Sequence, residues 1–220
     1  MKLSKKTLDI LKNFSAINTN ILIKAGNTLS TKAVANNIFA TVEVEEEFET
    51  EVGIFNLPEF LGVLSLFTNP DIKFSTKYLT LQEGSSKIKY VYADSSILVY
   101  PDKSPKTLDF DVEFNLTASH LVQLQKAAAA LGVQDIAFEC EGKKIVAKVL
   151  DKKNDSSNNY IIELETESPE SFTTYFKVDN FKFLPDDYTV FISKKNLAKW
   201  NGKDLKTVYY VAAEADSRFS

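Results

Sequence analysis

One pattern of residues occurs twice in this 220-residue sequence, and the repeat constrains the fold more than any other feature. A stripe of apolar residues at helical spacing opens each half, at 4–14 and at 117–131, and short β-rich runs follow it. Ser4 and Thr117 stand where a helix N-cap is expected, and Gly132 stands just past the second stripe. The repeat predicts two similar domains rather than one large domain.

A second pair of matching segments predicts another helix in each half. Apolar residues in 57–64 follow helical spacing, Asn56 is placed to cap them, and Pro58 is tolerated in a first helical turn. The segment 175–182 has apolar residues at matching positions. We therefore predict that 175–182 forms the second helix of the second half.

A proline-containing segment without periodicity, 100–106, separates the two halves and predicts a linker. It implies an N-terminal domain of residues 1–104 and a C-terminal domain of residues 105–220. Short strand-forming runs alternate with turn residues in both halves, which indicates antiparallel hairpins. The predicted fold class is α+β, with two similar domains that each carry two helices on one face of an antiparallel sheet.

The composition narrows the classes of function. The sequence has 26 Lys and Arg and 30 Asp and Glu, which gives a net charge of −4. Any contact with DNA must therefore be confined to a part of the surface that is locally basic. The single histidine, His120, and the single cysteine, Cys140, exclude intrachain disulfides and Cys/His zinc sites, and the lone thiol is typical of a reducing cytoplasm. Since no apolar run is long enough for a membrane span or a signal core, we expect a protein that is neither exported nor membrane-spanning.

Catalytic and metal-binding motifs are missing from the sequence. There is no Gly-rich phosphate loop, HExxH, GxSxG or EF-hand spacing, and His120 has no recognisable nucleophile or orienting acid. The acidic run 43–51 predicts a solvated strand end or loop, because alternating side chains would point its acids to both faces of a strand. The polar segment 151–159 predicts a long hairpin loop rather than a calcium loop. We expect no enzymatic activity, no cofactor and no metal.

Several short segments, in order and spacing, resemble one known family. They are MKLSK at 1–5, LKNF at 11–14, FLGVLSL at 60–66 and EADS at 214–217. The chain is similar in these segments to the DNA polymerase sliding clamps of T-even-type bacteriophages. No single segment is specific, but the resemblance extends over the whole chain and includes the duplicated domain.

The resemblance implies a homotrimeric ring of six similar domains that encircles duplex DNA, with helices lining the hole and sheets outside. It implies an ATP-driven clamp loader, the replicative DNA polymerase and late-transcription factors as partners. It also implies a location in the cytoplasm of the infected bacterial host.

A helix-lined hole requires lysines on the helix faces that point away from the sheets. The candidates for DNA contact are Lys2, Lys5, Lys6, Lys12, Lys126, Lys177 and Lys182. The helix at 57–64 offers only Glu59, and 127–130 is a run of alanines where the family has more arginine. The alternative for each lysine is an ordinary solvated helix face.

By resemblance, partner proteins dock hydrophobic tails in an apolar pocket beside the linker and the C-terminal segment. The candidates for this pocket are Tyr100, Pro101, Val211, Ala213 and Phe219, each of which could equally belong to the core. Ring closure would pair edge strands of neighbouring subunits.

Two other functions remain open on the sequence alone. The chain could be a structural or interaction protein of duplicated domains that forms oligomers without encircling DNA. It could also be a hydrolase, which would require two of its scattered carboxylates to converge in one pocket.

Overall fold

The computed structural model describes residues 1–103, 105 and 109–219. The chain divides into two compact units, residues 1–104 and residues 105–220. Both are built from antiparallel strands and few helices, as the α+β prediction requires. Of the predicted linker 100–106, residues 104 and 106 lie outside the described residues.

The first unit has two described helices and seven described strands. These are α1 (Lys5–Ile17), β1 (Ile21–Ile23), β2 (Gly26–Lys32), β3 (Ile38–Phe48), β4 (Val52–Ile54), α2 (Leu57–Leu64), β5 (Asp71–Phe74), β6 (Tyr78–Glu83) and β7 (Ser86–Val91). Strand β1 pairs with β4, β2 pairs with β3, and β5, β6 and β7 form a three-stranded sheet in that order. A short 3-10 turn at Ser95–Ile97 follows.

The second unit has one described helix and nine described strands. These are β8 (Val112–Leu116), α3 (Ala118–Leu131), β9 (Asp135–Cys140), β10 (Lys144–Leu150), β11 (Tyr160–Glu167), β12 (Phe172–Lys177), β13 (Tyr188–Ser193), β14 (Leu197–Gly202), β15 (Val208–Ala212) and β16 (Arg218–Phe219), of which β16 is only two residues long. One sheet has the order β11-β10-β9-β12-β16, and β15, β14, β13 and β8 are neighbours in another. All of these pairs are antiparallel.

Three predicted helices are confirmed with their caps. Helix α1 begins after Ser4, whose hydroxyl accepts from the Thr7 backbone N–H at 3.2 Å, and α2 begins after Asn56. Helix α3 begins after Thr117 and ends at Gly132, which has a φ of +67°. A glycine suits this left-handed position because it has no Cβ to clash there.

The predicted helix at 175–182 is wrong. Its first residues end strand β12, which pairs with β9, and only a 3-10 turn at Val178–Asn180 follows. The two phenylalanines Phe176 and Phe181 are five positions apart and both contact the Trp200 ring, at 6.1 and 5.2 Å between centroids. Burial of a strand and of the turn after it therefore produces an apolar pattern that resembles a helix face. Residues 175–182 do not form the second helix that we predicted for the second unit.

The acidic run 43–51 belongs largely to β3, where Glu43, Glu45 and Glu47 are exposed and Glu46 points inward. The Glu46 side chain is only 8% exposed and accepts two hydrogen bonds of 2.5 Å, from the Ser4 backbone N–H and from the Thr7 hydroxyl. Burial raises the pKa of this carboxyl, but the hydrogen bonds from Ser4 and Thr7 outweigh burial, so the pKa is lowered. A buried carboxylate thus fixes the first turn of α1 to the sheet beneath it.

Helix α3 is held at its start in the same way. The Ala118 backbone N–H donates to Asp187 Oδ1 at 2.8 Å, and Asp187 directly precedes β13. A carboxylate at a helix N-terminus is favourable because it satisfies free N–H groups and opposes the positive end of the helix dipole. Both units therefore use an acid in or next to a strand to anchor the start of a helix.

The polar segment 151–159 forms the predicted hairpin loop between β10 and β11. Asp151 and Asn154 each accept from a backbone N–H two residues later, which is the usual turn chemistry of these side chains. Among the described residues, no group of three or more His, Cys, Asp or Glu is arranged to hold a metal ion. None of the helices in the described ranges has the length and apolar character needed to cross a membrane.

Replacing Glu46 by Gln should lower the free energy of unfolding by about 1–2 kcal/mol at pH 7, because hydrogen bonds to a charged acceptor contribute more than neutral ones. The pKa of Glu46 is lowered in the folded protein, so its contribution is present above the pKa of the unfolded carboxyl. That contribution is lost as the pH falls through the folded pKa. Urea denaturation of both proteins across this pH range measures the difference.

The matched control is Glu45→Gln, which removes an exposed carboxylate from the neighbouring position of β3. It should leave the free energy of unfolding unchanged within about 0.5 kcal/mol. Equal effects of the two substitutions would contradict the anchoring role of Glu46.

Candidate nucleic-acid interface

Helix α1 buries one face and presents lysines on another. Ile10, Leu11 and Phe14 are buried, whereas Lys5 and Lys12 are exposed. Seven residues make nearly two full turns of an α-helix, so Lys5 and Lys12 lie on the same side. Lys12 Nζ is 3.5 Å from Asp9 Oδ1, an exposed pair that holds the ammonium only weakly.

The other two lysine candidates of the first unit, Lys2 and Lys6, lie at the edges of the α1 surface that carries Lys5 and Lys12. Lys2 precedes α1 and is exposed, while Lys6 is half-buried. Lys2 lines a polar cavity of about 410 Å³ together with Lys73, a lysine of β5 that sequence reasoning missed. The Met1 ammonium donates to the Ile72 carbonyl at 2.9 Å, which places the chain start beside β5. No signal in the sequence indicates this contact between residues 71 positions apart.

Helix α3 has a single lysine, Lys126, and it is exposed on the side opposite Leu121, Leu124 and Ala128. An open surface cavity of about 420 Å³ lies on this side of the helix. Its lining residues are Gln123, Lys126, Ala127, Ala130, Leu131, Asn159 and Tyr160. The alanine run therefore leaves an exposed helix surface that is smooth and carries little charge.

Lys177 and Lys182 do not lie on a helix. Lys177 ends β12, and its Nζ is 2.6 Å from Oδ1 of Asp135, whose residue is only 4% exposed. A buried carboxylate needs such a partner, so Lys177 has a structural role. Lys182 follows the 3-10 turn and is half-buried; the preceding residue, Phe181, accepts a hydrogen bond from Gln125 of α3 at 2.9 Å. Lys182 thus lies near α3 despite the missing helix.

Helix α2 adds no positive charge, and its exposed acid is Glu59. An apolar cavity of about 210 Å³ is lined by residues of both α2 and α1. The lining includes Leu3, Leu8, Leu61 and Phe67, with Lys12 at the edge. The helical surface of the first unit is therefore cationic along α1 and apolar between the two helices.

Two candidates for the partner pocket, Tyr100 and Pro101, are half-buried in the first unit. Pro101 lines a cavity of about 250 Å³ whose other residues include Leu22, Lys24 and Phe39. Lys24 Nζ lies 5.6 Å from the centroid of the Tyr100 ring, within cation–π range. This cavity combines apolar walls with a positive charge.

The other three pocket candidates belong to the second unit. Val211 of β15 is fully buried in the core, so it is unavailable to a partner, and we correct its assignment to a pocket. Ala213 is half-buried, and its N–H donates to the Asn196 carbonyl at 2.9 Å. Phe219 of β16 is half-buried and stacks on Phe172 with 5.5 Å between ring centroids. Phe219 therefore packs largely against its own sheet.

Lys152, in the loop between β10 and β11, is an anchor that the sequence did not reveal. Its side chain is 10% exposed, and its Nζ lies 2.7 Å from Asp216 Oδ1 and 3.3 Å from Glu214 Oε2. Burial lowers the pKa of the lysine, but hydrogen bonds to Asp216 and Glu214 outweigh it and raise the pKa. This ammonium holds the segment after β15 against the loop.

Comparison with known proteins gives the same family for both units. Residues 2–100 match the family described as DNA polymerase processivity factor, and residues 113–215 match the family described as gp45 sliding clamp, C terminal. The sliding clamp of Vibrio phage KVP40 is 31% identical over 222 residues, which cover 98% of this chain and 100% of the relative. The sliding clamp of Enterobacteria phage T4 is 32% identical over 230 residues, which cover 99% and 98%.

Solved structures of clamps share the fold. A structure of A. fulgidus PCNA with the C-terminal region of FEN-1 bound has a TM-score of 0.72 and 14% identity, and the match covers 99% of this chain and 98% of the PCNA chain. At this identity the similarity concerns the fold alone. The fold is thus retained although most residues differ.

Replacing Lys177 by Gln should lower the free energy of unfolding by about 1–3 kcal/mol, since the buried Asp135 carboxylate then loses its charged partner. Chemical denaturation measures this change. The control is Lys126→Gln on the exposed side of α3, which should have no effect beyond about 0.5 kcal/mol. If Lys177→Gln is as stable as the unchanged protein, the ion pair is not structural.

Proposed function

This chain belongs to the bacteriophage sliding clamps, the processivity factors of DNA polymerases, and we propose that it assembles as a homotrimeric ring around duplex DNA. Its N-terminal clamp domain is residues 1–104 and its C-terminal clamp domain is residues 105–220. Three chains then supply the six domains of the ring. The observation that carries the proposal is the match to phage clamps along nearly the whole chain, at about the same length.

The helix surfaces support a hole that faces DNA. The exposed lysines of α1 and α3 lie opposite the faces that these helices bury, so they are free to reach phosphates while the helices remain packed. We propose Lys5, Lys12 and Lys126 as the principal contacts, with Lys2, Lys6 and Lys182 at the margin. Lys177 contributes to the stability of the second unit instead, because it pairs with Asp135.

The small number of these lysines suits a clamp that moves along DNA. Contacts to phosphates carry no sequence information, and each one removed reduces the salt dependence of binding by about one unit of log K against log salt. A closed ring needs little direct affinity, because the DNA cannot leave without opening of the ring. The net charge of −4 is then compatible with the function, since the acids are free to lie on surfaces that do not face the DNA.

Partner proteins complete the proposed function. The polymerase is tethered to the ring through a short hydrophobic segment that docks beside Tyr100 and Pro101, where the cavity with Lys24 lies. The bound C-terminal region of FEN-1 on A. fulgidus PCNA supports this mode of docking. Ala213 and Phe219 are further candidates for such a contact. An ATP-driven clamp loader opens the ring, and late-transcription factors are additional partners.

The protein itself is a scaffold without catalytic activity in this proposal, and it requires neither cofactor nor metal. It acts in the cytoplasm of the infected host, where the phage DNA is replicated. A duplicated-domain protein that oligomerises without encircling DNA is the competing function, and DNA topology separates the two.

The deciding experiment measures retention on nicked circular DNA and on the same DNA after linearisation, with a clamp loader and ATP. A ring should remain on the circle and slide off the linear molecule. Equal loss from both molecules would contradict encirclement and favour the oligomeric interaction protein.

The triple substitution Lys5→Glu, Lys12→Glu and Lys126→Glu should reduce loading on nicked circles while the trimer stays intact, because it repels phosphates without touching a buried residue. The matched control is Lys77→Glu, Lys153→Glu and Lys203→Glu, which makes the same change of charge at exposed positions outside the helices. Equal loading by the two variants would show that total charge, and not the helix surface, matters. Loss of the trimer in the first variant would mean that its lysines are structural.

A further inference from the structure

Two buried asparagines hold the chain just before the cavity at Pro101. Asn18 is the C-cap residue of α1 and is 4% exposed, and Asn20, two positions later, is 9% exposed. The Asn20 side chain accepts from the Val99 N–H at 3.0 Å, and the Asn18 side chain donates to the Val99 carbonyl at 2.8 Å. Side-chain amides therefore bond both backbone groups of Val99, as a neighbouring strand would in a sheet.

The amide of Asn18 also holds a strand that lines the same cavity. An amide NH2 group has two hydrogens, and the second one donates to the Lys32 carbonyl at 2.9 Å. Lys32 ends β2, whose residues Thr28 and Ser30 line the cavity of about 250 Å³ together with Pro101. One buried amide thus joins β2 to the segment that carries Pro101.

The orientation of this amide is fixed by its own partners. Asn18 Oδ1 accepts from the Asn20 N–H at 3.1 Å, so each polar atom of the Asn18 side chain has a hydrogen bond. The Asn18 backbone N–H donates to the Phe14 carbonyl at 2.9 Å, which ties the residue to the last turn of α1. The two asparagines are therefore held by a helix end and by each other, and they can act as a rigid support for Val99.

The link from Val99 to the cavity is short and stiff. Only Tyr100 lies between Val99 and Pro101, and a residue before proline is largely confined to extended backbone. The proline ring fixes the next backbone angle, and Lys24 Nζ lies 5.6 Å from the centroid of the Tyr100 ring. Because this dipeptide has little freedom, the place of Val99 largely determines the place of Pro101.

We propose that Asn18 and Asn20 are positioning residues of the docking site, which set the separation between β2 and the linker before the polymerase binds. This inference rests on the proposed docking of a hydrophobic segment beside Tyr100 and Pro101. A site that is already ordered loses less conformational entropy on binding, so it binds more tightly. Without the two amides, the partner itself would have to order the start of the linker.

A purely structural role of the asparagines has a different consequence. Unpaired backbone groups in a buried place cost free energy, so both side chains also stabilise the fold. A residue that acts on stability alone lowers the free energy of unfolding and leaves the affinity of the folded protein for its partner unchanged. A positioning residue lowers that affinity as well.

Asparagine-to-aspartate exchange at position 18 tests the proposal. Asn18→Asp keeps the shape of the side chain but replaces both N–H donors with an oxygen that faces the carbonyls of Lys32 and Val99. The affinity of the full-length protein for the replicative DNA polymerase of the same phage should fall about tenfold or more, the worth of one to two hydrogen bonds. Biolayer interferometry with immobilised polymerase, at a temperature where circular dichroism shows a folded variant, measures it. An unchanged affinity would overturn the role of Asn18.

The same exchange at position 20 is the matched control. Asn20→Asp adds the same charge but retains the oxygen that accepts from the Val99 N–H, so its affinity should stay within about threefold of that of the unchanged protein. Asn20→Ala removes this acceptor and should weaken binding about tenfold. Equal losses in the two aspartate variants would assign the effect to the added charge and overturn the proposal.

Hydrogen exchange reports the support of Val99 directly. The Val99 N–H should exchange at least about tenfold faster in Asn20→Ala than in the unchanged protein, because its acceptor is gone. Asn20→Asp should retain the protection. Equal exchange in the two variants would contradict the role of the Asn20 side chain.

Glu46→Gln controls for stability. It removes hydrogen-bond strength at the opposite end of α1 and is expected to destabilise the same unit, but Glu46 bonds to Ser4 and Thr7 and not to the linker. Its affinity for the polymerase should stay within about twofold of that of the unchanged protein. A loss as large as that of Asn18→Asp would show that affinity simply follows stability, and the positioning role would be wrong.

The outcomes also separate this inference from the proposed docking. If the unchanged protein does not bind the polymerase, or if Tyr100→Ala binds it equally well, the docking beside Tyr100 is wrong and the positioning role falls with it. If Tyr100→Ala loses binding while Asn18→Asp and Asn20→Ala retain it, the docking stands and the positioning role alone is overturned.

Discussion

Helices α1 and α3 each bury one apolar face against strands, and this burial determines what the two helices present to their surroundings. In α1 the burial of Ile10, Leu11 and Phe14 turns Lys5 and Lys12 outward, and in α3 the burial of Leu121 and Leu124 does the same for Lys126. The lysine positions follow from helical geometry once the core is formed. A cationic surface of this kind therefore needs no stabilising contacts of its own.

The capped helices could be predicted from the sequence because their signals are local. Ser4, Asn56 and Thr117 each cap a helix within three residues of themselves, and Gly132 ends α3 where only a left-handed residue fits. The segment 175–182 misled us because alternation in β12 and burial of Phe181 after a turn together imitate a helical stripe. Tertiary packing around Trp200, and not local preference, decides its structure.

The residues of the candidate site also divide into those with a local signal in the sequence and those whose place depends on distant contacts. The exposed lysines of α1 and α3 could be identified from helical spacing, whereas the partners of Lys177 and Lys152 are 42 and more residues away and have no local signal. Glu46 is an intermediate case. It occupies a position that continues the inward alternation of Val42 and Val44, so an acid in an apolar series was a visible sign of a buried contact.

The acids that anchor α1 and α3 have a consequence for motion along DNA. The free N–H groups at a helix N-terminus usually form a rigid anion site that could hold a phosphate in one place. Here carboxylates of the same chain already take one such group at each helix, since Glu46 accepts from the Ser4 N–H and Asp187 from the Ala118 N–H. In the proposed ring, phosphates would meet instead the ammonium groups of Lys5, Lys12 and Lys126, which stand at the ends of flexible side chains. A clamp with these helices would hold phosphates less rigidly there than one whose helix starts were open to them.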